Sequence, residues 1–94
     1  MDSAEPRKLD RKHVLLSAIV ISPEGAQAAR IRDLSSSGVH VFCNRPPTID
    51  SDVIFKRGDV FAAARVAWSD KDEAGLEFYR QVDPARLGRS AAEE

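Results

Sequence analysis

The chain is predicted to fold as an all-β protein of six antiparallel strands, a barrel or a sandwich, with a short C-terminal helix and a flexible N-terminal tail. Short runs rich in β-branched and aromatic residues alternate apolar with polar side chains, and turn residues separate them at regular intervals. Strands so short and so evenly spaced fit a barrel or a sandwich, and closure removes the edges that an open sheet would expose.

Residues 1–12 carry almost no large apolar side chain apart from Leu9, so burial cannot offset their ordering entropy, and they form the expected tail. Residues 13–90 are expected to make the barrel domain with its helix, and 91–94 a frayed end. The first strand runs from Val14 to Ile21, and Ser22-Pro23-Glu24-Gly25 closes it in a turn. Ala26 to Leu34 is the second strand, with Ala29 and Ile31 on the buried face and Arg30 and Arg32 on the wet one. After a turn over Asp33 to Gly38, the run from Val39 to Cys43 alternates again. The adjacent Pro46 and Pro47 remove two ladder donors, so a connection lies outside the sheet as far as Ser51.

Val53 to Lys56 and Phe61 to Trp68 form a hairpin about Arg57-Gly58-Asp59, where Gly58 supplies the unusual backbone angle. Ser69 to Asp72 is a polar turn, and Ala74 to Tyr79 is the last strand. Asp83 as cap and Pro84 at the first helical position start a helix over Ala85 to Ser90. Phe55, Val66, Trp68, Leu76 and Phe78 are the core candidates; Trp68 is expected to pack inside, as large aromatics in small barrels do.

The 94 residues make one domain that buries about 60–65% of its unfolded surface. A hydrophobic share of 43% beside 31% charged residues fits a soluble globular protein, and no apolar run approaches a membrane span. The acidic start Met1-Asp2-Ser3-Ala4-Glu5 is unlike a secretory signal, and Cys43, the single cysteine, has no internal partner; both point to the cytoplasm. A net charge of -1 speaks against general DNA or RNA binding. Yet Arg7, Lys8, Arg11, Lys12 and His13 crowd one segment, enough for a local anion site.

Asp33-Leu34-Ser35-Ser36-Ser37-Gly38 sets a carboxylate, a hydroxyl and a glycine that permits close backbone approach between two strands. Upstream, Arg7-Lys8-Leu9-Asp10-Arg11 supplies two arginines just ahead of the first strand. An Arg-x-x-x-Arg pair followed by Asp-x-Ser-x-x-Gly between two strands resembles the paired signature of PilZ domains, bacterial receptors for cyclic di-GMP. The resemblance covers Pro6 to Leu87 and implies the six-stranded barrel.

The resemblance implies that Arg7 and Arg11 clamp guanine and phosphate from the tail while Asp33, Ser35 and Gly38 form the wall against the barrel. The chemistry agrees. A guanidinium can bond guanine O6 and N7 bidentately, stack on the base or grip a phosphate, and Asp33 can accept from guanine N–H groups. The Ser35 hydroxyl can donate or accept beside it, and Gly38 leaves space. Lys8 and Lys12 would widen the positive surface. Pro6 stands where some relatives carry a further basic residue, which implies one ligand molecule per chain. The tail is expected to fold over the nucleotide and present a new surface to a downstream effector protein.

A nucleotide-independent interaction module, like PilZ-related proteins of pilus assembly, is the alternative. A small barrel for single-stranded nucleic acid needs a basic groove with exposed aromatics, and the core claims most of the four Phe, one Tyr and one Trp. No nucleophile elbow, phosphate loop or catalytic carboxylate pair is present, so no enzyme activity and no cofactor are expected. His13, His40 and Cys43 are too irregularly spaced for zinc, and the serines at 35–37 are read as turn residues.

Overall fold

A computed structural model describes residues 16–88. The expected tail, with Arg7, Lys8, Arg11 and Lys12, lies outside the described residues, as do His13 and residues 91–94. The strands are β1 (Leu16–Ser22), β2 (Gly25–Leu34), β3 (Gly38–Cys43), β4 (Asp52–Arg57), β5 (Val60–Asp70) and β6 (Glu73–Phe78), followed by the helix α1 (Pro84–Gly88). They close into a barrel in the order β1-β2-β3-β6-β5-β4, and every neighbouring pair is antiparallel.

Alternation decides what enters the barrel. Val20, Val41, Phe55 and Val66 are fully buried, and Ala18, Ala29, Ala62, Ala64 and Ala74 fill the narrow interior between them. The Phe55 and Phe78 rings meet at 6.0 Å and 52°, an aromatic pair at the centre of a small core. Burying a side chain such as Phe55 contributes roughly 2–3 kcal/mol. No polar or charged side chain is buried among the described residues.

Phe55, Val66, Leu76 and Phe78 are core residues as expected, but Trp68 is not: it stands 41% exposed on the outside of the barrel. The reason is a β-bulge. Val66 pairs with Leu76 and Trp68 with Gly75, so Ala67 is an extra residue in β5 and the alternation beyond it reverses. β5 also continues to Asp70, shortening the polar turn that separates it from β6.

The turns follow their chemistry. Gly58, at φ +60°, closes the β4–β5 hairpin in the left-handed region. Asp83 caps α1, its Oδ1 accepting the Ala85 amide at 3.0 Å while its carbonyl accepts the Arg86 amide at 3.0 Å. The end of β6 and the segment that follows it are tied to the β2–β3 turn. There Ser37 O accepts the Phe78 amide at 2.8 Å and Ser36 O accepts the Val82 amide at 2.9 Å.

Candidate functional site

The β2–β3 corner is a hydrogen-bonded turn built by Ser35. Its amide donates to Gly38 O at 2.9 Å, and its hydroxyl accepts the amides of Ser37 at 3.3 Å and Gly38 at 3.2 Å. The hydroxyl is thus engaged in shaping the corner, a serine turn of the expected kind. Gly38 answers a close approach from behind: a Cβ there would lie 2.5 Å from the Leu76 carbonyl oxygen of β6.

Asp33 reaches the surface through a second bulge. β2 alternates with Ala29 and Ile31 inward, which by simple continuation would send Asp33 inward as well. Instead the register shifts between Ile31 and Asp33, Asp33 pairs with His40, and its side chain is 76% exposed. The bulges in β2 and β5 therefore do the same thing: each turns outward a side chain that regular alternation would bury.

The register then sets four residues in a row across the outer surface. Asp33 pairs with His40, His40 with Gly75, and Gly75 with Trp68. Gly75 has no side chain, and a Cβ there would fall inside the Trp68 indole, which lies across β6 to reach the His40 ring. The two rings meet edge to face, with centroids 5.0 Å apart at 73°. Asp33, Leu34, Ser35, Gly38, His40, Trp68 and Gly75 all line one open depression of ≈ 320 Å³. A larger depression of ≈ 520 Å³ around Arg30, Phe42 and Asp72 includes none of these motif residues, so size does not select the site.

Charges are organised around His40. Its Nε2 donates to Glu73 Oε1 at 2.5 Å, and its Nδ1 lies 3.7 Å from Asp33 Oδ2. Arg32 stands 3.5 Å from Glu73 and 3.8 Å from Asp33, with its guanidinium 5.8 Å from the centre of the Phe42 ring. Both of these Asp33 distances exceed hydrogen-bond length, so the carboxylate keeps acceptor capacity for incoming N–H donors. Chemically, the depression offers an exposed acid, a partly exposed indole and a hydrogen-bonded polar corner, groups able to meet a planar ring rich in N–H donors.

Of the residues expected at the site, Asp33, Ser35 and Gly38 come together on this depression, whereas Arg7 and Arg11, with Lys8 and Lys12, lie outside the described residues. His40 and Trp68 line it too, and the sequence reading assigned both to ordinary strand or core positions. Only the pairing of Trp68 with Gly75 marks the indole as a surface residue, and that register depends on the bulge. No group of His, Cys, Asp and Glu fit to hold a metal ion occurs among the described residues.

Neither curated proteins nor solved structures match the chain. The family model described as PilZ domain matches residues 5–92, spanning the upstream arginines and the β2–β3 corner alike. The chain therefore belongs to the PilZ domain family, a match that supports a cyclic di-GMP-binding module in general.

Proposed function

We propose that this protein is a cytoplasmic cyclic di-GMP receptor in which Arg7 and Arg11 clamp one nucleotide against the corner formed by Asp33, Ser35 and Gly38. Asp33 accepts from guanine N–H groups, the Trp68 indole offers a stacking face, and the two guanidinium groups take the phosphate and the O6/N7 edge. Ser35 and Gly38 act by shaping the corner. Lys8 and Lys12 add to the positive potential. The segment carrying the arginines orders over the ligand, and the surface so formed is read by an effector protein.

The observation that carries this reading is that the family match takes in both motif segments, while Asp33, Ser35 and Gly38 line a single depression with an exposed acid. Titration calorimetry with cyclic di-GMP tests it. Wild type is expected to bind, and Arg7→Ala and Arg11→Ala each to lose binding with their melting temperatures unchanged. No heat from wild type at high micromolar ligand would favour a nucleotide-independent interaction module. Hydrogen exchange over residues 5–13 addresses closure separately: unchanged protection at saturating nucleotide refutes it.

A further inference from the structure

We propose that His40 is a positioning residue of this site, setting the Trp68 indole and the Asp33 carboxylate on either side of itself in the depression that receives the base. The proposal rests on the receptor reading and adds to it a residue outside both sequence motifs.

Trp68 is turned away from the core by the β5 bulge, so interior packing does not fix its rotamer. Gly75 removes the side chain that would stand between it and β3, and among the described residues the ring that meets the indole is that of His40. His40 is itself held. Glu73, paired with Phe42 and so diagonal to His40 on the outer face of β6, accepts from Nε2 at 2.5 Å, and Arg32 braces Glu73 from 3.5 Å. The opposite edge of the imidazole faces Asp33, with Nδ1 3.7 Å from Oδ2, so the ring bounds the space in which that carboxylate can turn.

A chain of contacts therefore runs from Arg32 through Glu73 to His40, and from there to the indole and the carboxylate. An indole and a carboxylate without this brace would sample several rotamers, and a ligand would have to order them on binding. His40 need not touch the nucleotide to affect its affinity.

The experiment uses the full chain, cyclic di-GMP as probe, and Trp68 as reporter, since it is the one tryptophan in the protein. His40→Leu and Glu73→Ala are each expected to weaken binding about tenfold, the order of one aromatic contact or one charged hydrogen bond. Both should also flatten the near-ultraviolet circular dichroism of the indole in the ligand-free protein while the melting temperature holds. Glu73→Gln keeps an acceptor for Nε2 and should bind within about threefold of wild type with the indole signal restored. A purely structural role for Glu73 would not separate Gln from Ala in the indole signal. Wild-type affinity in His40→Leu or Glu73→Ala overturns the proposal. Should His40→Leu fail to fold, Glu73→Ala decides it, because that side chain lies on the outer surface. A wild type that does not bind the nucleotide overturns the receptor reading itself, whereas a binding wild type with unaffected variants overturns only the role of His40.

Discussion

On the outside of the barrel, β2, β1, β4 and β5 line up two cross-strand rows: Ala26, Ile21, Ile54 and Ala63, and beside it Ala28, Ile19, Lys56 and Phe61. Lys56 is the one charged residue in these rows, and its Nζ turns back to Gly58 O at 3.2 Å and over the Phe61 ring at 5.4 Å. Across β2, β3, β6 and β5 the outward positions are instead Arg30, Arg32, Asp33, His40, Phe42, Glu73, Glu77, Arg65 and Trp68. The two surfaces share a scaffold, yet the polar one contains both bulges and the other none. Regular alternation produces a panel of small and apolar side chains, whereas a polar constellation with an exposed acid and indole needs the alternation broken. The candidate site lies where the barrel departs from its own period.

That contrast can be broken from either side. Asp33→Ala removes the exposed acceptor and should weaken cyclic di-GMP binding by about a hundredfold, the order of two charge-assisted hydrogen bonds, with little change in thermal midpoint. Calorimetry alongside a melt checks both halves; near-wild-type affinity would detach the corner from the ligand. Gly38→Ala acts through the scaffold instead. Its methyl meets the Leu76 carbonyl, a backbone atom that cannot swing away, so denaturation should show a loss of about 2 kcal/mol.

Cys43 brings a smaller effect, tied to pH. Burial, and secondarily Asp72, raises its thiol pKa above the ordinary thiol value. The folded state thus favours the neutral thiol. Stability from this group is fully present below the unfolded thiol's pKa and is lost as pH rises from about 8.5 through the raised folded value. Cys43→Ala should flatten that alkaline decline in chemical denaturation, and native wild type at pH 8 should alkylate at least tenfold more slowly than the unfolded chain. Least of all should change on the apolar panel. Phe61, 60% exposed and away from the site, should tolerate Phe61→Ser with affinity within about twofold of wild type. A larger change would mean that the two surfaces are coupled.

The strands and the turns about Gly58 and Asp83 were readable because each depends on local chemistry: a period of two, a positive φ, a capping carboxylate. Asp33, Ser35 and Gly38 were readable as a group for the same reason, a turn with a recognisable spacing. Trp68 was misread, since counting in twos from Val66 sends it inward, and nothing local announces that Ala67 will be left unpaired. His40 was passed over because its importance comes from Glu73, far along the chain, and from the indole beyond Gly75.

By itself the sequence determined which residues alternate, where the chain turns, and that a carboxylate, a serine and a glycine share one corner, since these follow from side-chain period and backbone preference. Only the tertiary structure decided which side of the wall Asp33 and Trp68 occupy, and which partners hold them there. A bulge is a compromise between two strands pairing at once, so its position belongs to the closed barrel and to no single strand.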